Sequence, residues 1–183
     1  MTPRHAAFAG LARRSILAAL LLVARTPLVH ADGINVSVAN GQGIALYSAF
    51  VQLDRDAPIH RYQSWNLTGH VDLGIAEFQG NHGSHAKTRA FGVIPKLRLE
   101  QASSPFFVEF GLGMAGFSNT LLGGERKVGG RFSFVEVLRS GLRFGTHRQF
   151  EAAVFAEHCS NAGLFRTNEG STSPGVSLLW YFR

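Results

Sequence analysis

The stretch Phe106–Phe117 reads FFVEFGLGMAGF. Phe106, Val108, Phe110, Leu112 and Met114 fall on one parity, and Phe107, Glu109, Gly111 and Gly113 on the other. Side chains alternate faces along a strand, so this run is a β-strand with a broad apolar face and a face mixing small and charged groups. The same period recurs. Trp65, Leu67, Val71, Leu73 and Ile75 oppose Ser64, Asn66, Thr68, His70 and Asp72; near the end, Val176, Leu178, Trp180 and Phe182 oppose Ser177, Leu179 and Tyr181. Strands are expected near 33–40, 44–53, 64–77, 87–99, 105–116, 130–144, 147–160 and 173–182. The segments DRDAPIHRYQ, QGNHGSHA, NTLLGGERKVGG and NAGLFRTNEGS between them are rich in turn formers.

Eight such strands in 183 residues fit one all-β domain, and the 21 Gly and 15 Phe suit short alternating strands better than helices. Residues 1–31 read as a secretory signal. Arg4, Arg13 and Arg14 precede the apolar core Ile16–Ala24, and Val29-His30-Ala31 offers small residues at the cleavage positions. The core is shorter than the roughly 20 residues of a membrane helix; an uncleaved anchor is the alternative. The domain expected is therefore 32–183. Its formal charge is +2, with 14 basic and 12 acidic residues, because four Arg leave with the signal. A high overall pI that resides in a leader gives no support to nucleic-acid binding. The single Cys159 allows no internal disulfide.

A soluble barrel turns its apolar face inward; a membrane barrel turns it outward and keeps charge inside. The polar faces carry His70, Asp72, Glu109, Arg139, Arg143, Glu151 and Glu157 in mid-strand, and these charges alone fit either. The signal, the even strand count, the terminal Leu-Leu-Trp-Tyr-Phe and the interface-prone Trp65 and Trp180 favour an eight-stranded antiparallel transmembrane β-barrel. Such a ring must close and is filled by its own side chains, which argues against a channel. Pro95 lacks a ladder donor and is expected to mark a bulge. With both termini on the inner side, the connections after the first, third, fifth and seventh strands are external.

The seventh strand carries the candidate chemistry. Phe150, Ala152, Val154 and Ala156 share the apolar parity, and His158 and Ser160 continue it, whereas Glu151 and Glu157 point inward. A His and a Ser two apart on one face meet the requirement for a base beside a hydroxyl nucleophile, and an ionisable group on a lipid face is a functional candidate. The competing reading is that both have reached the headgroup zone, where polar groups cost little.

The run His158-Cys159-Ser160-Asn161-Ala162-Gly163-Leu164, with Asn168, Gly170 and a last aromatic strand, resembles the lipid A 3-O-deacylase (PagL) family and its H-x-S-N-A-G pattern. The resemblance extends over the mature chain, including Phe106–Phe117 and the end at Phe182. It implies an outer-membrane serine esterase that removes the 3-hydroxyacyl chain from position 3 of lipid A, with Ser160 as nucleophile and His158 as base. It also implies an oxyanion hole of the Asn161 side chain and the Gly163 N–H. Lipopolysaccharide is then the substrate partner and the outer membrane the location; the resemblance leaves room for a homodimer. Ester hydrolysis needs only water, so no cofactor is implied.

One position departs from the pattern. Twelve residues after the Ser, where the family carries a Glu, this chain has Thr172. Glu169 is then the tentative substitute acid. The alternatives are a dyad in which Thr172 merely orients His158, and a barrel that has lost catalysis and serves structure or adhesion. A soluble exported barrel binding an apolar ligand is a third class. His82 and His85 in QGNHGSHA read as a solvated loop rather than a metal site. Arg126, Lys127 and Arg131 read either as a solvated cluster or as one that meets lipopolysaccharide phosphates.

Overall fold

The computed structural model describes residues 30–55, 57–81, 86–124 and 126–182. The expected signal lies outside the described residues except for the backbone of His30 and Ala31, and so do His82 and His85. Eight long strands follow one another: β1 His30–Gly41, β2 Ile44–Asp54, β3 Trp65–Gly80, β4 Lys87–Gln101, β5 Phe106–Phe117, β6 Phe132–Phe144, β7 Phe150–Ser160 and β8 Ser171–Tyr181. Each pairs antiparallel with its neighbour in sequence, and β1 pairs with β8 from Gly33↔Tyr181 to Ala39↔Gly175, so the sheet closes on itself. Closure leaves no edge of unpaired N–H and C=O groups.

The alternation expected from the sequence sets the two faces of the wall. Val36, Val38, Phe106, Phe110, Leu138, Val154, Val176 and Leu178 stand outward and exposed, while Arg98, Glu109, Arg139 and Glu151 stand inward, each at 2% exposure or less. This is the apolar-out, charged-in arrangement of a membrane barrel. The inward charges bind one another across the lumen. Arg98 donates to Glu151 at 2.6 Å and also pairs with Glu109; Arg139 donates to Glu109 at 2.8 Å and Arg143 to Glu151 at 2.8 Å; Lys96 meets Asp72 at 2.7 Å. A buried charge is tolerable only when paired in this way. The void among Asn35, Asp72, Lys96, Arg139 and Glu157 holds about 20 Å³, room for one water, so this level of the lumen is filled by side chains.

Pro95 makes no bulge. The register of β3 with β4 runs unbroken through Val71↔Pro95, and with β5 the ladder omits only Ile94 and Pro95 before resuming in step at Lys96↔Gly111. The missing donor costs two pairings on one side and leaves the strand's register intact.

The connections after β1, β3, β5 and β7 lie at one end of the barrel, and the start of β1 and the end of β8 lie at the other. The connection between β5 and β6 is more than a turn: Leu121–Leu122 pairs with Arg126–Lys127 as a small ribbon. Leu122 and Val128 are fully buried, and the Thr88 hydroxyl of β4 donates to the Leu121 carbonyl. The ribbon thus folds over the mouth of the barrel beside the end of β7. At the opposite end, Trp65 and Trp180 are exposed, and Phe144 stacks on Phe150 with ring centres 5.6 Å apart, an aromatic belt of the kind found at a membrane interface.

Candidate active site on the outer wall

The last three residues of β7 include His158 and Ser160 on the outward parity, half-buried, at the end where the ribbon lies. The register decides their neighbours. His158 stands opposite Thr172 of β8 on one side and Glu136 of β6 on the other; Ser160 stands opposite Phe134. Strand β8 begins at Ser171, two residues earlier than the sequence suggested, and so carries Thr172 into the ladder. His158 Nδ1 and Thr172 Oγ1 are 2.9 Å apart, within hydrogen-bond distance. Gly170, at φ +60°, passes against the imidazole: a Cβ there would sit 3.2 Å from His158 Cε1. The ring is therefore held on its Nδ1 edge and backed by main chain. That leaves Nε2 as the nitrogen that can take a proton. Ser160 Oγ makes no hydrogen bond among the described residues, to His158 or otherwise; the two share a face without being joined. Such contacts are often loose until substrate closes them.

The segment after Ser160 is tied down by Asn161, which is fully buried. Ala162 and Gly163 take φ +51° and +80°, and Leu164 N–H donates to the Asn161 carbonyl at 3.0 Å, forming a tight reversed turn. Asn161 Nδ2 donates to the Val128 and Thr167 carbonyls, both at 2.7 Å, while its Oδ1 accepts the Gly163 N–H at 2.8 Å. Its own N–H donates to Asn168 Oδ1 at 3.0 Å. The two oxyanion donors expected from the sequence are thus already occupied, and the Asn161 side chain points into the protein. Its parity in the chain, opposite to that of Ser160, is the physical reason.

Glu169 is also elsewhere. Its carboxylate accepts the Lys127 N–H at 2.9 Å, and its N–H donates to the Lys127 carbonyl at 3.1 Å. The loop stitches itself to the ribbon in this way, and the carboxylate is not brought to His158. Arg126 is likewise spent: Nε donates to the Gly170 carbonyl at 2.6 Å and Nη2 to the Glu169 carbonyl at 2.8 Å. Of the basic loop residues expected to face phosphate or solvent, Arg126 instead clamps the backbone that backs the imidazole. The sequence reading overlooked Glu136. The signal was present in the outward series Phe132, Phe134, Glu136, Leu138, where one charge interrupts an apolar face. Among the described residues, no cluster of three or more His, Cys, Asp or Glu is placed to hold a metal.

Three comparisons bear on this site. The family model described as "Lipid A 3-O-deacylase (PagL)" matches residues 32–181. The chain is 29% identical over 161 residues to "Lipid A deacylase PagL" of Pseudomonas aeruginosa, covering 86% of this chain and 91% of that relative. It also superposes on the "Crystal structure of the outer membrane enzyme PagL" with a TM-score of 0.72 and 27% identity, covering 81% of this chain and 98% of that one.

Proposed function

This chain belongs to the lipid A 3-O-deacylase (PagL) family, and from that premise we propose that it is an outer-membrane serine esterase. It removes the 3-hydroxyacyl chain from position 3 of lipid A. Residues 1–31 act as a cleaved export signal, and the end of β7 sits at the outer leaflet, where lipid A lies. The observation that carries the reading is the shared outward face of Ser160, His158 and Thr172 on two adjacent strands, with the imidazole fixed through Nδ1.

In the proposed reaction Ser160 Oγ attacks the ester carbonyl carbon and its proton passes to His158 Nε2. The tetrahedral oxyanion collapses, the C–O bond to the sugar breaks, and His158 returns the proton to the departing sugar oxygen. Water, deprotonated by the same imidazole, attacks the acyl-enzyme and releases the 3-hydroxy fatty acid, restoring Ser160. The substrate reaches the site from the membrane side, because the wall below it is lined by Ala152, Val154, Val176 and Leu178 and matches acyl chains rather than water. The Gly163 N–H serves the oxyanion only by leaving Asn161 Oδ1. Thr172 performs the orienting half of a triad acid's work, holding the ring and its tautomer; the uncharged hydroxyl does not perform the other half, stabilising the imidazolium.

Mass spectrometry of lipid A from cells with and without the protein tests this. Loss of one 3-hydroxyacyl chain is expected with the wild-type chain and not with Ser160→Ala. Unchanged lipid A with a folded wild-type barrel refutes it. It favours the second reading, a barrel whose catalytic acid has been replaced by Thr172 and whose role is structural or adhesive.

A further inference from the structure

The family pattern places a carboxylate where this chain has Thr172, and the base beside it is still present. Any imidazole that takes a proton here becomes a cation on an apolar wall. On its β8 side it faces the Thr172 hydroxyl, the Gly170 main chain and, beyond that carbonyl, the Arg126 guanidinium. None of these offers negative charge, and Arg126 adds a positive one. The Glu169 carboxylate is directed to the Lys127 N–H.

The other side differs. Among the outward positions of the eight strands whose side chains are described, the acidic, basic and imidazole residues are Glu77, Lys87, Arg89, Glu136 and His158. The first three form a set of their own at the rim, with Lys87 2.6 Å and Arg89 3.4 Å from Glu77. That leaves Glu136 and His158, and the register of β6 with β7 sets them directly opposite one another. Side chains so placed have Cβ atoms roughly 4.5–5.5 Å apart, within reach of charge–charge interaction. Glu136 has no hydrogen bond or ion pair among the described residues, and its outward neighbours on β6 are Phe134 and Leu138. A carboxylate standing free on an apolar, membrane-facing stripe is costly unless it serves a purpose.

We propose that the two tasks of the missing triad acid are divided between strands: Thr172 on β8 orients His158, and Glu136 on β6 supplies the negative charge that stabilises its protonated form. Glu136 acts through His158 and touches no reacting atom. It is a charge-compensating partner of the base, specific to a chain with Thr at position 172. The inference rests on the esterase reading above.

The test is a double-mutant cycle on the purified full-length barrel in detergent micelles, with lipid A as substrate and released 3-hydroxy fatty acid as readout. Glu136→Gln keeps the shape and removes the charge; kcat is expected to fall about tenfold, the lower end of what one opposite charge at this spacing contributes, with KM little changed. Thr172→Glu places a carboxylate directly at Nδ1. In that background Glu136→Gln is expected to have no further effect. An unchanged kcat for Glu136→Gln, or the same loss in both backgrounds, overturns the inference, since a structural effect on β6 does not depend on residue 172. Ser160→Ala and His158→Ala run alongside. If they keep wild-type activity, or the wild-type chain is inert, the esterase reading fails; if they are inactive while Glu136→Gln is not impaired, only this inference does.

Discussion

Replacing Asn161 by Ala separates two roles that the sequence alone confuses. The side chain is fully buried and makes three hydrogen bonds, to the Val128 and Thr167 carbonyls and from the Gly163 N–H. Alanine leaves all three partners unmatched. At about 1 kcal/mol each, the loss is ~3 kcal/mol, a factor of roughly 100 in the closed-to-open ratio of the 161–170 loop. The cost falls on the loop and the ribbon it is stitched to, not on the barrel ladder. The expected result is therefore faster amide hydrogen exchange across 161–170 and 126–129, a loss of acyl release no larger than that factor, and an unaltered barrel by circular dichroism. Exchange read by mass spectrometry on the same sample used for the acyl-release assay makes the comparison direct. A hundredfold loss of kcat with exchange protection of 161–170 unchanged refutes the clasp and returns Asn161 to the oxyanion hole.

Three further outcomes follow from the geometry. Thr172→Val removes the hydrogen-bond partner of His158 Nδ1 and is expected to lower kcat about five- to tenfold in the acyl-release assay, the worth of about 1 kcal/mol of orientation; no loss means the hydroxyl does not hold the ring. Gly170→Ala puts a Cβ 3.2 Å from both the imidazole and the Cys159 carbonyl at a φ of +60°, a strain of ~1–3 kcal/mol, so activity should drop while the barrel's denaturation midpoint stays put. Glu151→Gln removes the anion that Arg98, Arg139 and Arg143 share deep in the lumen. It should cost ~3–5 kcal/mol in guanidinium unfolding from detergent, and an unmoved midpoint refutes the view that this network needs its full charge balance.

Much of this barrel was legible before any coordinates. Its wall is a period-2 object, and one face of each strand meets apolar surroundings while the other meets charge. The parity of Phe106–Phe117 or of Val176–Phe182 therefore prescribes which side each residue takes. The same parity put His158 and Ser160 outward and Glu157 inward, because alternation along one strand is a local property of an extended backbone. Local rules served less well where the chain leaves the ladder. Asn161 and Gly163 read as free donors because nothing nearby in sequence announces that Val128, 33 residues away, takes one of the Asn161 N–H bonds. Glu169 looked available because the Lys127 N–H that it meets belongs to a ribbon hidden inside a turn-rich segment. The bulge expected at Pro95 did not occur, since a barrel can forgo two pairings on one side of a strand without a change of step.

By itself the sequence determined the all-β class, the eight strands, the inside and outside of the wall, and the strand that carries His158 and Ser160 on its outward face. Those follow from periodicity and from motif. The tertiary structure alone decided which side chains meet across strands: Thr172 on one flank of His158, Glu136 on the other, and the ribbon that engages Asn161 and Arg126. Register is a property of two strands together, set by closure of the whole ring, and a chain read one residue at a time does not contain it.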